Sequence, residues 1–182
     1  MGVAVYVMPL ATWLSGDFRT VWAGGEATPP KLRRSGEEAE ELREEFLERM
    51  ESLLGRRPDW DDSGPARSAT AFSAHAFSLP FLQARRWSYK VKLPQLSVLE
   101  AAQIWIPDAF ESIFHMTSPW SDDEELMIAS LPQVRTELDR LLEGLDVGEG
   151  WEEYREIAQA ARALRGAAES AIGHNVPLIV EG

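Results

Sequence analysis

Glutamates crowd the stretch from Ser35 to Gly55, beside an apolar series that recurs every three or four residues. The apolar positions are Ala39, Leu42, Phe46, Met50 and Leu53. Such spacing predicts an amphipathic helix with one apolar stripe facing a core and a wide anionic face in water. Ser35 and Glu38 also form an S-x-x-E capping box, in which each side chain satisfies a backbone N–H that a helix start leaves unpaired. The chain must therefore supply a core for this helix to pack against.

Four further helices are predicted from similar signals. Ser97 with Glu100 and Ser121 with Glu124 repeat the capping box, and each pair precedes an apolar-periodic stretch. The predicted ranges are about 97–106, 108–116, 121–145 and 151–172. We expect a break or kink where the third of these helices meets Pro132, because proline removes a helical hydrogen bond.

Three short segments have the composition of β-strands. Val3–Met8 is a β-branched and aromatic run stopped by Pro9, which predicts a strand covered on both faces. Residues 87–93 alternate apolar and polar side chains and give the clearest strand pattern in the chain. Residues 178–180 predict a weaker strand, and Pro177 indicates a sheet edge or the first strand residue. The first and last strands should share one sheet, because neither is stable alone.

The combination of long helices and few strands predicts an α+β fold dominated by helices. We expect about four to six helices packed on a small sheet that includes the N- and C-terminal strands. The 182 residues fit a single domain. Residues 56–86 give no single prediction, because their Ala/Ser-rich part fits a short helix, an irregular strand or a mobile flap.

The absence of cysteine excludes disulfides, thiolate zinc sites, iron–sulfur ligation and cysteine nucleophiles. It is also typical of a reducing compartment. Two uncharged stretches, 1–16 and 68–84, match neither a secretory signal nor a membrane span. The first contains Pro9 and lacks an early basic residue, and the second is broken by serines and by Pro80. We therefore expect a soluble cytoplasmic protein that does not enter membranes.

The formal net charge of −12 is unevenly distributed along the chain. Residues 36–55 carry eight acidic and two basic side chains, and residues 96–182 carry seventeen and five. A field of this sign repels nucleic-acid phosphates and anionic membrane surfaces, so neither is an expected partner. It attracts a basic protein, although acidity also serves solubility without any partner.

Asp59, Asp61 and Ser63, followed by Gly64, resemble the opening of a calcium-binding EF-hand loop. Thr70 stands where such a loop has its final bidentate glutamate, so the ligand set is incomplete. The alternative is a turn in which these side chains bond their own backbone.

Glu111 and His115 are four residues apart and would share one side of a helix, as two ligands of a metal site do. Further ligands are missing from the neighbouring sequence, and a packed, hydrogen-bonded histidine is the alternative. We expect neither a bound metal nor a cofactor.

Patterns for covalent or acid–base catalysis are also missing. The chain has no G-x-S-x-G elbow and no glycine loop with the lysine of a phosphate cradle. Paired glutamates on the predicted helices are typical of surface charge, whereas acid–base chemistry needs a desolvated carboxyl. The sequence therefore favours a protein without enzymatic activity.

Two tryptophans adjoin acidic clusters, Trp60 at residues 59–62 and Trp120 at residues 122–125. Aromatic rings rimmed by charge are typical of binding hot spots, and the alternative is that both rings fold back over the core edge. Glutamates one turn apart on the helix at 35–55 would meet a basic partner. The candidate binding residues are Trp60, Trp120, Glu40, Glu44 and Glu48.

These features favour an acidic protein-binding module, such as a neutralising or regulatory partner of a basic protein. In composition alone, the chain is similar to bacterial toxin-neutralising immunity proteins, which are small, acidic and free of cysteine. Two alternatives are an enzyme of unrecognised type with a pocket near residues 56–81, and a structural subunit that acts through oligomerisation. A concave polar pocket would favour the enzyme, and an aromatic patch beside carboxylates would favour the binding module.

Overall fold

The computed structural model describes residues 2–22, 25–60, 68–99, 104–146 and 152–182. Within these ranges, five helices pack on a six-stranded mixed sheet, and two more strands form a small second sheet. The helices are α1 (Leu10–Ser15), α2 (Gly36–Leu54), α3 (Ala74–Trp87), α4 (Leu131–Asp146) and α5 (Glu152–His174). The strands are β1 (Gly2–Val7), β2 (Thr20–Val21), β3 (Ala27–Thr28), β4 (Ser68–Ser73), β5 (Ile104–Ile106), β6 (Phe114–Thr117), β7 (Glu125–Ser130) and β8 (Leu178–Glu181). The expected helix-dominated α+β class is confirmed.

The strand order in the large sheet is β4-β1-β8-β5-β7-β6. β5 and β7 are parallel, and the other neighbouring strands are antiparallel. The predicted pairing of the first and last strands is confirmed, with Val5 of β1 opposite Val180 of β8. Of the two positions that Pro177 indicated, the sheet edge is wrong, because β8 lies between β1 and β5, whereas the start of the strand agrees with the structure to within one residue. Pro177 directly precedes β8, where its missing N–H costs no ladder hydrogen bond.

Successive residues of the central strands enter two separate cores. On β8, Leu178 and Val180 pack with residues of α3, α4 and α5, whereas Ile179 packs with residues of α1 and α2. The large sheet is therefore the middle of three layers. Because both of its faces are covered, all three residues of the central strand β5 are apolar and buried.

The helix predicted at 35–55 is confirmed as α2. The Ser35 hydroxyl accepts a hydrogen bond from the Glu38 N–H at 3.2 Å and so caps the first turn. Gly55 ends the helix with a φ of 72°, and its N–H donates to the Glu51 carbonyl at 2.8 Å. The helix predicted at 151–172 corresponds to α5. None of the described helices combines the length and the apolar composition needed to cross a membrane.

The strand predicted at 87–93 is wrong, because Trp87 ends α3 and the chain then turns. The N–H groups of Lys90 and Val91 both donate to the Trp87 carbonyl, at 2.7 and 2.9 Å. Tyr89 is 76% exposed, so the alternating pattern comes from a helix end followed by a turn. The preceding region of uncertain prediction contains β4 and α3, while residues 61–67 lie outside the described ranges.

Three predicted helical segments are also wrong. Residues 104–106 and 114–117 form β5 and β6, and residues 125–130 form β7, so that α4 begins only at Leu131. In β5, burial from both faces of the sheet removes the period-two alternation by which a strand is recognised in sequence. Pro132 consequently lies in the first turn of α4, where a missing N–H is tolerated, and not in a helix interior.

Candidate functional site

A cleft of about 950 Å³ opens beside the end of β8. Ile179 of β8 pairs with Ile104 of β5, and Glu181, the last residue of β8, pairs with Ala4 of β1. Aromatic rings and charged groups from several elements converge in this cleft. The tryptophans and charged residues of the lining are Trp13, Arg33, Arg34, Glu38, Trp120, Glu124 and Glu181.

Trp13 of α1, Glu181 of β8 and Arg33 form one cluster in the wall of this cleft. The guanidinium carbon of Arg33 lies 5.3 Å from the centroid of the Trp13 ring. Nη2 of Arg33 donates to both carboxylate oxygens of Glu181, at 2.9 and 3.0 Å. The indole Nε1 of Trp13 donates to the same carboxylate at 3.4 Å. The Arg33 and Glu181 side chains are 30% and 38% exposed, so solvent screens their ion pair in part.

The charges of Glu181 and Arg33 also affect the pKa of Tyr6 on β1. Burial raises the pKa of Tyr6, the Glu181 carboxylate raises it further, and Arg33 offsets part of the change. Its phenol is therefore neutral at physiological pH.

Main-chain hydrogen bonds hold the segment that carries Arg33 against the end of α1. The N–H of Lys31 donates to the Gly16 carbonyl at 3.2 Å, and the N–H of Arg33 donates to the Ser15 carbonyl at 2.8 Å. Gly16 has a φ of 71°, and a Cβ atom there would lie 2.1 Å from the Lys31 carbonyl oxygen. Position 16 therefore requires glycine both for its backbone conformation and for the close approach of the segment.

Gly16→Ala is expected to lower the free energy of unfolding by about 2–3 kcal/mol, because the new methyl group overlaps the main-chain carbonyl of Lys31 and the backbone at position 16 has a positive φ. Urea unfolding measures this difference. Gly166→Ala on α5 is the control, since a Cβ there meets no other atom within 4 Å, and that variant should gain about 0.5–1 kcal/mol. Unchanged stability of Gly16→Ala would show that the segment moves away from α1 at little cost.

The two tryptophans predicted as binding residues differ in burial. Trp60 is 8% exposed and packs on Phe46 of α2 with ring centroids 5.7 Å apart, so its ring belongs to a core and not to an open patch. Trp120 is half-buried, with its ring centroid 6.0 Å from that of Phe46 and 5.8 Å from that of Trp13. Since Trp120 also lines the cleft, it stays a candidate binding residue.

The outer side of α2 carries a shallow surface groove of about 440 Å³ that is lined by glutamates. They are Glu37, Glu40, Glu41, Glu44, Glu45 and Glu48. Arginines neutralise some of them: Arg43 pairs with Glu40 and Glu44, Arg57 with Glu44, and Arg49 with Glu45. Within the described ranges, Glu37, Glu41 and Glu48 have no basic side chain in ion-pair distance. Candidate residues Glu40, Glu44 and Glu48 thus share one surface.

The structure describes the two partial metal-ligand sets to different extents. Asp59 is described, whereas Asp61 and Ser63 lie outside the described ranges. His115 lies on β6 and Glu111 in the bend before it, so the predicted helical spacing of this pair is wrong. In the part of the chain that the structure describes, no three histidine, aspartate or glutamate side chains are grouped to hold a metal.

A buried carboxylate, Glu137 of α4, was not predicted. It accepts hydrogen bonds from the main-chain N–H groups of Gln95 and Leu96, at 3.0 and 2.8 Å, and from Nε2 of Gln133 at 2.8 Å. Burial raises the pKa of Glu137, and these N–H donors offset part of that effect. The amide of Gln95, also fully buried, bonds the main chain at Phe110, Glu111 and Ser130. The network therefore joins three segments to α4 and has a structural role.

The region expected to hold a pocket in an enzyme contains a hollow of about 440 Å³ between β4, α3 and α5. His75, Glu156 and Gln159 are among its polar lining residues. Ser73, also in the lining, caps α3 by accepting a hydrogen bond from the Ala76 N–H at 3.1 Å. This hydroxyl is thus engaged in helix capping, and the enzyme alternative stays a prediction.

The sequence patterns did not identify the Trp13–Arg33–Glu181 cluster, because its members are far apart in the chain. Comparison with known proteins adds no relative, since no protein-family model, no curated protein and no solved structure matches the chain. The geometry of the described residues is therefore the basis for any functional argument.

Proposed function

We propose that this protein is a binding module for a basic protein, and that the outer side of α2 is the contact surface. The observation that carries the proposal is the groove of six glutamates, of which Glu37, Glu41 and Glu48 lack a cationic partner within the described ranges. Carboxylates that follow one another around a helix repel, and an incoming cationic surface removes that repulsion. Complementary charge also raises the rate at which a basic partner meets this face.

The rigid attachment of α2 supports the proposal. Its inward side buries Ala39, Phe46, Leu47 and Met50, and both of its ends are capped by hydrogen bonds. The helical backbone that carries the glutamates is therefore ordered before a partner binds, so that binding costs less conformational entropy.

The cleft adjoins this surface, because Glu38 in the first turn of α2 is part of its lining. Trp120, half-buried in the cleft wall, is the kind of aromatic group that anchors protein interfaces. The outer side of α2 would attract a partner at long range, and the cleft lined by Trp120 would hold one of the partner's side chains.

Changing Glu37, Glu41 and Glu48 to lysine is expected to reduce the rate of association with the basic partner at least about tenfold at low salt. The loss should shrink as salt screens the charges. The wild-type protein is immobilised to capture the partner from its native cell, and stopped-flow mixing of the purified pair gives the rates. The free energy of unfolding of the triple lysine variant should differ from that of the wild type by less than about 1 kcal/mol, because these side chains are exposed.

The matched control changes Glu143, Glu152 and Glu156 to lysine. These exposed carboxylates lie on α4 and α5, in the helical layer on the other side of the sheet, and the change in net charge is the same. A loss confined to the α2 variant supports the proposal. Equal losses in both variants would assign the effect to overall charge, and no loss in the α2 variant would remove this helix from the interface.

A further inference from the structure

Within this chain, Arg33 is held by Trp13 and Glu181 through the type of contact by which proteins recognise arginine. The guanidinium lies over an indole face, with 5.3 Å from its carbon to the ring centroid, and it donates to both oxygens of a carboxylate. An aromatic face attracts the delocalised cation, and the carboxylate satisfies its N–H groups. Trp13 and Glu181 are therefore already arranged as a binding site, which the protein fills with a residue of its own.

The Arg33 side chain can leave this site without unfolding its segment. The main chain of the segment is held through the N–H groups of Lys31 and Arg33, which donate to the carbonyls of Gly16 and Ser15 at the end of α1 independently of the guanidinium. The side chain is 30% exposed and adjoins a cleft of about 950 Å³, so rotation about its own torsions carries the guanidinium towards solvent.

The charges of the cleft favour another cation once Arg33 has left. The charged lining residues are three carboxylates, Glu38, Glu124 and Glu181, and two guanidiniums, Arg33 and Arg34. Without Arg33, three carboxylates face one guanidinium. An incoming cation is attracted under those conditions, and the Trp13 face selects one that is planar and weakly hydrated.

We propose that Trp13 and Glu181 form a guanidinium-binding site that Arg33 occupies in the free protein and an arginine of the basic partner occupies in the complex. The inference rests on the proposed function and deepens it by naming the partner side chain. Arginine is preferred to lysine because the guanidinium is planar, delocalised and more weakly hydrated than an ammonium, which favours its position over the indole face beside a carboxylate. Arg33 is an intramolecular competitor, which lowers the apparent affinity by the fraction of time that it fills the site.

The test is a titration of Arg33→Ala with ethylguanidinium, followed through the Trp13 indole N–H resonance, which Trp13→Phe assigns. The half-saturating concentration should be about tenfold lower in Arg33→Ala than in the wild type, because the site is vacant. Ethylammonium, a lysine mimic at the same ionic strength, should bind several-fold more weakly. Arg33→Met repeats the titration with the apolar stem retained, in case the alanine variant folds poorly.

Two controls separate this site from general charge. Arg33→Ala/Glu181→Gln should lose the gain, and Arg34→Ala, which removes one positive charge from the same cleft, should gain much less than Arg33→Ala. Equal binding by wild type and Arg33→Ala, or an undiminished gain in the double variant, would overturn the inference. These titrations need no protein partner, so their failure leaves the α2 surface untouched, and failure of the α2 lysine variants leaves the titrations unchanged.

Discussion

Removal of residues 176–182 is expected to leave a chain without stable tertiary structure. Val176, Leu178, Ile179 and Val180 are all buried. Burial of each side chain stabilises the folded state by about 2–3 kcal/mol. Together these contributions are comparable to the free energy of unfolding of a typical domain, roughly 5–15 kcal/mol. The deletion also separates β1 from β5 and exposes two strand edges in the middle of the sheet. Far-UV circular dichroism and amide NMR dispersion measure the loss.

Two milder variants serve as controls for this deletion. Loss of Gly182 alone removes an exposed residue outside β8 and should leave the unfolding transition unchanged. Leu178→Ala, which keeps the strand but removes a fully buried side chain, should cost about 3–4 kcal/mol. A shortened chain that still unfolded cooperatively at the wild-type urea midpoint would disprove the central role of β8.

Glu137→Ala is expected to lower the free energy of unfolding by about 3–5 kcal/mol, because the N–H donors that now meet its carboxylate would be buried without partners. Glu137→Gln should cost less, since its amide oxygen still accepts while its NH₂ group opposes the remaining donors. Urea unfolding of both variants at neutral pH gives the two values. Equal stability of the alanine variant and the wild type would mean that water or a local shift satisfies those donors.

The raised pKa of Glu137 also predicts how stability depends on pH. In the unfolded chain the carboxyl titrates near 4.5, whereas burial moves its folded-state pKa upward. Between the two values the folded protein holds a proton that the unfolded chain has lost, so rising pH favours unfolding across that interval and has no further effect above it. The stability difference between wild type and Glu137→Gln should fall across the same interval. A difference that rose with pH would show that the N–H donors outweigh burial.

Local patterns in the sequence predicted those elements whose neighbours in the chain decide their structure. The α2 helix follows from its apolar spacing and from Ser35, and β1 follows from its β-branched composition. The pairing of β1 with β8 also follows, since each strand needs a neighbour.

Elements covered from both sides could not be recognised in this way. β5 buries Ile104, Trp105 and Ile106 on its two opposite faces. A short apolar run of this kind is equally consistent with part of a helix. The Ser121–Glu124 capping box belongs instead to a turn, in which the Glu124 N–H donates to the Ser121 carbonyl at 3.3 Å. The capping motif is short enough to occur by chance outside helices.

The candidate site was only partly predictable for a related reason. The glutamates of α2 are exposed by the same periodicity that buries its apolar residues, so their shared surface could be foreseen. Contact between Arg33 and Glu181 depends on the path of the whole chain, and no local pattern records it. Glu137 has the sequence context of a surface helix glutamate, and only the packing of the Gln95 turn against α4 makes it a buried acceptor.

The position of β8 also affects the order in which the sheet can form. β4 pairs with β1, and β6 and β5 both pair with β7, so two groups of strands can assemble separately before β8 joins them. Contacts such as Val5 with Val180 join distant parts of the chain and are slow to form. Before these contacts form, the inner edges of β1 and β5 lack their neighbour, so we expect a chain in that condition to pair readily with strands of other molecules.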